Sequence, residues 1–332
     1  MSHRTSISIG LAAALAGIGV VLAGENTQKK DNQTTANAPQ ESTDMTSQPT
    51  TAPQAAGKRS AQLHIDVKAS PAAIWKTLTD AEEITRWFPL HAKVTPGKGG
   101  SILTSWGQGQ EWDSPITIWE PEKRLRVLWC PPNTPEADLF GVDYFIEPQS
   151  GGVTRLRLVH FGFSAEPAWD EMYDGVSQGW DCMLWCLKNY LEQHLGTPRS
   201  VVYLRANLPE GMDRPGAWKR LFSAEGLITD PALAALPVGR PFRARVGRTE
   251  LSGTVRFNRP QRNFQVVLSN MSDALLCIQV YPCHGGPGEQ VSAMVSAFGA
   301  DPARLEEIRM TWADRLARLF GSESTIDTTV KR

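Results

Sequence analysis

Between residues 169 and 195 the large apolar side chains Met172, Val176, Trp180, Leu184, Leu187 and Leu191 recur at steps of four, four, four, three and four, which lines them along one side of an α-helix. Asp174, Gln178, Asp181, Lys188, Glu192 and Gln193 take the other side. Pro167 suits a first turn, Gly196 the position after a last turn, and Pro198 forbids continuation. Burying such a stripe is worth roughly 1.5–3 kcal/mol per large side chain. The helix therefore needs a matching apolar surface, and only the segment before it can supply one.

That segment reads as strands. Leu63, Ile65 and Val67 alternate with His64, Asp66 and Lys68, the pattern of a half-buried strand. Ser70 before Pro71 starts a short helix through Leu78, and Asp80 caps a second one to Trp87. Further strands follow with inward residues Ile102, Thr104 and Trp106; Ile116 and Ile118; Leu125, Val127 and Trp129; Val142, Tyr144 and Ile146; and Leu156, Leu158 and His160. Gly- and Pro-rich turns separate them. The fold class is α+β: a curved antiparallel meander, two short helices, and one long helix laid across the sheet.

At 332 residues, 41% of them hydrophobic, the chain can hold two domains with cores of their own. Its 34 Lys and Arg nearly balance 35 Asp and Glu, so neither nucleic acid nor an anionic membrane surface is indicated as a partner. Cys130, Cys182, Cys186, Cys277 and Cys283 show no CxxC pair or zinc spacing and read as packed thiols. No metal cluster, phosphate loop or nucleophile triad is found, and no cofactor is implied.

Residues 1–24 contain an apolar run ending in Val21, Leu22 and Ala23, the pattern of an export signal or a retained membrane anchor. Residues 25–60 are rich in Gln, Thr, Ser, Pro and Ala without an aromatic, the composition of a disordered linker. Together they point to an extracytoplasmic protein, secreted, periplasmic or membrane-tethered.

The stretch Ala72-Ala73-Ile74-Trp75-Lys76-Thr77-Leu78-Thr79-Asp80 carries a resemblance, together with Arg86-Trp87-Phe88, the Gly99-Gly100 turn and Trp119-Glu120-Pro121 before Arg124-Leu125. His160-Phe161-Gly162-Phe163 and Gly179-Trp180 leading to Tyr190-Leu191 extend it. Residues 61–196 resemble the START-like (SRPBCC) helix-grip superfamily, and within it the branch related to the C-terminal domain of activators of the heat-shock protein 90 ATPase. The resemblance implies a cavity between the sheet and the long helix, used in such folds for apolar ligands, for catalysis or for chaperone regulation.

Residues 200–321 look like a second, degenerate copy, with 322–332 as a tail. Trp218 answers Trp75 at a shift of 143, Arg262 answers Arg124 at 138, Tyr281 answers Tyr144 at 137 and Trp312 answers Trp180 at 132. A shift that only falls along the chain fits a repeat with loop deletions. On these shifts Trp106, Trp129 and His160 become Val246, Val267 and Ala297, and nine of the eleven tryptophans lie before Gly196, so the first copy is the one expected to bind.

Trp87, Phe88, Trp106, Trp129, Tyr144, His160, Trp180 and Leu184 are the candidate ligand-binding residues, offering flat apolar faces with a few donors. The same aromatics could simply fill a core. The expected function is non-enzymatic binding of a small apolar molecule. One alternative is an enzyme of the cyclase or hydrolase kind with His160 as general acid or base; another is a chaperone-regulating interaction module. The residues demand no catalysis and leave oligomeric state open.

Overall fold

Ser70 and Asp80 start the two short helices as their side chains dictate. The Ser70 hydroxyl accepts from the Ala73 amide and begins α1 (Pro71–Thr79), and Asp80 accepts from the Glu82 and Glu83 amides to begin α2 (Ala81–Thr85). The computed structural model describes residues 57–330 apart from 108, 131–133, 136–138, 283–287 and 324. The expected signal or anchor, all of the expected linker before Gly57, and Cys283 lie outside the described residues.

Before α1 comes β1 (Lys58–Val67); after α2 come β2 (His91–Thr95), β3 (Ser101–Ser105), β4 (Glu111–Glu120), β5 (Arg124–Leu128), β6 (Gly141–Pro148) and β7 (Thr154–Ser164), then the long helix α3 (Asp170–Gln193). They form one antiparallel sheet in the order β1-β7-β6-β5-β4-β3-β2. β1 begins inside the expected linker, held there by an Arg59–Asp170 ion pair of 2.6 Å and by the Arg59 guanidinium over Tyr173. β2 was not expected from the sequence. It is an edge strand whose residues are exposed or half-buried, so its hydrophobic alternation is faint.

Inward residues form rows across the sheet. Ile116, Val127, Val142, His160 and Ala61 stand opposite one another on successive strands, and Trp119, Leu125, Tyr144, Leu158 and Leu63 make the next row. The ladder slips between Ile116 and Ile118. This β-bulge turns Ile118 outward opposite Arg126 and brings Trp119 inward, against Trp75 of α1 at 4.9 Å between ring centroids. Ile118 was expected to share the face of Ile116; strict alternation fails at the extra residue.

The second unit repeats this plan. β8 (Arg199–Asn207) leads through α4 (Arg214–Leu221) to β9 (Pro241–Val246), β10 (Thr249–Arg259), β11 (Asn263–Leu268), β12 (Ala274–Pro282), β13 (Glu289–Phe298) and α5 (Pro302–Phe320). The sheet order is β14-β8-β13-β12-β11-β10-β9. Among the described residues no strand stands for β2, and the expected tail instead supplies β14 (Thr325–Asp327) along the outer edge of β8. The bulge recurs too: β10 slips against β11 between Val255 and Phe257 as β4 slips against β5. The turn residues Glu122 and Gln261 both have positive φ, and Ile146 and Val280 donate to the carbonyls of Lys123 and Arg262.

These ladders correct several residue matches. Arg262 stands for Lys123, Leu268 for Trp129, Ile278 for Tyr144 and Val295 for His160, whereas Val246 does stand for Trp106. Turns of different length moved the sequence shifts by one to three positions, enough to reverse the parity of Tyr281 and Val267.

α3 is buried on two sides rather than one. Besides the expected stripe, Gly179, Cys182, Met183, Cys186 and Tyr190 are buried. The outer face of the second sheet, with Val201, Tyr203, Leu275, Cys277, Met294 and Phe298, joins the same hydrophobic cluster as the first unit's core. Tyr190 stacks on Phe298 at 5.8 Å. The hydrophilic rim of α3 is tied to the second unit by Asp181–Arg256, Asp174–Arg259 and Glu171 between Arg262 and Arg214, at 2.7–3.1 Å. Glu171 thus serves as an inter-unit partner as well as a first-turn acid. The four described cysteines are free thiols.

Candidate functional site

Trp180 organises the first unit's interior. Its ring lies between Phe88 at 5.5 Å and Trp129 at 5.7 Å, both nearly parallel to it, and Trp87 stacks on the far side of Phe88 at 5.3 Å. Tyr144 meets Trp180 edge-on at 6.1 Å, and Trp106 meets Phe88 edge-on at 5.9 Å. Such offset and edge contacts suit the aromatic quadrupole and fill space densely.

His160 is fully buried, with Trp129, Phe140 and Phe163 at 4.6–4.8 Å. The Trp180 indole N–H donates to His160 Nδ1 at 2.9 Å. A nitrogen that accepts a hydrogen bond carries no proton, so the ring is neutral with its hydrogen on Nε2. Burial pushes its pKa down to about 3. Such a ring is a poor proton acceptor at neutral pH; its role is to seat Trp180. Asp143, the nearest carboxylate in sequence to this region, lies on the outer face between Arg124 (2.9 and 3.0 Å) and Arg126, away from the imidazole's side of the sheet.

A cavity of about 30 Å³ lies beside the stack. Leu78 of α1 and Ile84, Trp87 and Phe88 in and after α2 form one wall; Ile102 and Thr104 of β3, Ser114 of β4, Leu125 and Val127 of β5, Trp129 and Tyr144 complete it. The void was expected between the sheet and the long helix. It lies instead under α1 and α2, because Trp180, Trp129, Phe140, Phe163 and Tyr190 fill the space beneath α3. Of the residues proposed from sequence, Trp87, Phe88, Trp129 and Tyr144 line it. Trp180 and Trp106 back Phe88, His160 anchors Trp180, and Leu184 is buried in α3 without reaching the cavity.

Three hydroxyls face this otherwise apolar space, those of Thr104, Ser114 and Tyr144, and none has a hydrogen-bond partner among the described residues. Burial raises the Tyr144 pKa far above the ordinary phenol value, so it remains a donor. Thr104 was expected on the inward face but not among the ligand-binding residues, and Ser114 was not singled out; the ladder sets them opposite Trp112 and Ile102. In the second unit the three positions are Ala244, Gly253 and Ile278, while Ile102 and Leu125 become Phe242 and Phe264. Those two rings are fully buried 5.9 Å apart. The second unit has lost the polar groups and filled the room.

Among the described residues no group of side chains could hold a metal ion, and no helix is long and apolar enough to cross a membrane.

Residues 68–192 match the family described as activator of Hsp90 ATPase homolog 1-like protein. No curated protein matches the chain. Among solved structures it is similar to protein MLL2253 from Mesorhizobium loti, at 25% identity over 40% of this chain and 96% of that one, TM-score 0.34. It is also similar to the Aha1 dimer from Colwellia psychrerythraea, at 23% identity over 42% of this chain and 99% of that one, TM-score 0.35. The di-domain ARO/CYC BexL from the BE-7585A biosynthetic pathway matches at 16% identity over 80% of this chain and 98% of that one, TM-score 0.37. The chain is a tandem of two helix-grip units, each a seven-stranded antiparallel sheet with a long helix, and residues 68–192 of the first are similar to the activator of Hsp90 ATPase homolog 1-like proteins.

Proposed function

We propose that the first unit binds a small, uncharged, largely apolar molecule carrying one or two hydrogen-bonding groups, in the cavity under α1 and α2, and that it does so in an exported or membrane-tethered protein. The observation that carries this reading is the contrast between the units. Hydroxyls lining an otherwise apolar cavity can be satisfied only by what occupies it, and the second unit has none of the three at the same ladder positions. Keeping them in the first unit makes sense if a guest pairs with them.

As it stands the cavity has room for about one water molecule. A larger guest needs Phe88 to swing out; it is the one lining residue that is only half-buried. His160 supports this site by holding Trp180. The N-terminal composition supports export or tethering.

Titrating the full chain with the neutral fluorescent probe N-phenyl-1-naphthylamine tests the reading. Saturable binding at one site is expected. Tyr144→Phe, which removes one hydroxyl at nearly constant volume, should leave the probe's affinity nearly unchanged but weaken a guest such as 2-naphthol about three- to tenfold, as a hydrogen bond is worth. The double variant I102F/L125F, which copies the second unit's filling, should abolish binding with the protein still folded. Unchanged affinity in that variant would sink the proposal.

A further inference from the structure

The loop that carries Phe88 is held by the other unit. Arg199, the first residue of β8, is 2% exposed and directs its Nη2 to the carbonyl oxygens of Pro89 at 2.7 Å and Phe88 at 3.3 Å. Tyr203, four residues along the same strand, packs against Trp106 at 5.4 Å, and Trp106 is the ring that meets Phe88 edge-on. The second unit therefore touches the Phe88 enclosure twice, once through its backbone and once through its aromatic neighbour.

The Phe88 amide donates back to Ile84 and the Leu90 amide to Ser105, while Pro89 between them has no amide hydrogen to give. Buried carbonyls need a donor, and a guanidinium makes stronger bonds to them than a neutral group does.

We propose that the second unit latches the first unit's cavity: Arg199 holds the Phe88–Pro89 backbone in its closed position, and a guest gains access when those bonds release. This rests on the binding reading of the cavity given above, and it assigns Arg199 as a positioning residue acting through Phe88. It also gives the filled second unit a task that requires no cavity of its own.

Three variants of the full chain test it. Arg199→Met removes the donors, Arg199→Lys keeps one charge and a shorter reach, and Arg259→Ala removes an inter-unit ion pair that does not touch the loop. In Arg199→Met, amide hydrogen exchange across residues 86–92 should rise about tenfold or more, with probe uptake faster by a similar factor. Arg199→Lys should fall between that and wild type, and Arg259→Ala should leave both unchanged. Exchange in residues 86–92 that stays at the wild-type rate in folded Arg199→Met, or in Arg199→Lys should the first variant not fold, overturns the latch. The exchange result decides the latch alone; a probe that binds none of the proteins, with exchange raised as expected, counts against the binding reading and leaves the latch supported.

Discussion

The His160 imidazole is neutral because two features act together. Burial disfavours the charged form, and the Trp180 N–H already occupies Nδ1, where a second proton would have to sit. An unfolded histidine takes up a proton near pH 6.5, the buried one only near 3. Between those values the unfolded state binds the extra proton, so stability is intact above pH 6.5 and declines as the pH falls towards 3, by roughly 1.4 kcal/mol per pH unit from this one group. His160→Gln should remove that slope, read as unfolding midpoints in urea from pH 4 to 7; parallel profiles for the two proteins would contradict a neutral buried ring. At this scale the sequence was informative where parity alone decided, as for His160 inward and Asp143 outward. It placed Thr104 inward without giving its hydroxyl a role, and it was mute for Ser114. A hydroxyl on an inward face looks the same in sequence whether it meets a backbone carbonyl, a water or a guest, and its meaning emerged only when the ladders aligned it with Ala244 and Gly253.

α3 shows how far periodicity reaches. Its ends were legible to within a residue or two because Pro167, Gly196 and Pro198 act on the backbone locally. Its second buried side was not, because Cys182, Met183, Cys186 and Tyr190 are interspersed with Asp181, Lys188 and Gln178 and read as an ordinary wet face. A helix buried on both sides tolerates no charge in its stripe. Leu184→Asp places a carboxylate 2% exposed with no partner, a change of the kind that costs upwards of about 4 kcal/mol. The expected result is loss of the near-UV circular dichroism of the tryptophan stack; a variant that retains that signal would show the core of the first unit to be less confined than described. The bulge after Ile116 lay beyond pattern reading for a different reason: one added residue leaves no compositional mark, although it reverses the facing of everything after it on the strand.

In the whole molecule the order of layers is first sheet, α3, second sheet, α5, so α3 is covered by both sheets within one core while α5 closes the other. Cutting the chain after residue 196 should therefore unwrap a face of α3. In the full chain the Cys182 thiol contacts those of Cys186 and Cys277; the Cys186 contact lowers its pKa, but the Cys277 contact and burial carry it above the ordinary value, and the Cys182 contact with burial raises that of Cys186. They should resist Ellman's reagent in the full chain, while a fragment of residues 57–196 should show both helix cysteines reacting freely. Equal protection in fragment and full chain would mean that α3 is covered without the second unit. The repeat was visible from sequence through Trp75 and Trp218, but the contact between the copies was not, since Arg256, Arg259 and Arg262 look like surface charges until α3 is set beside them. The slipped row after Ile116 and its twin after Val255 carry a historical consequence. An irregularity shared at one ladder position is inherited more simply than acquired twice, so the ancestral gene already encoded the kink before it doubled. What differs between the units is the furnishing of the two interiors and the edges of the two sheets, while the kinked central ladder is common to both.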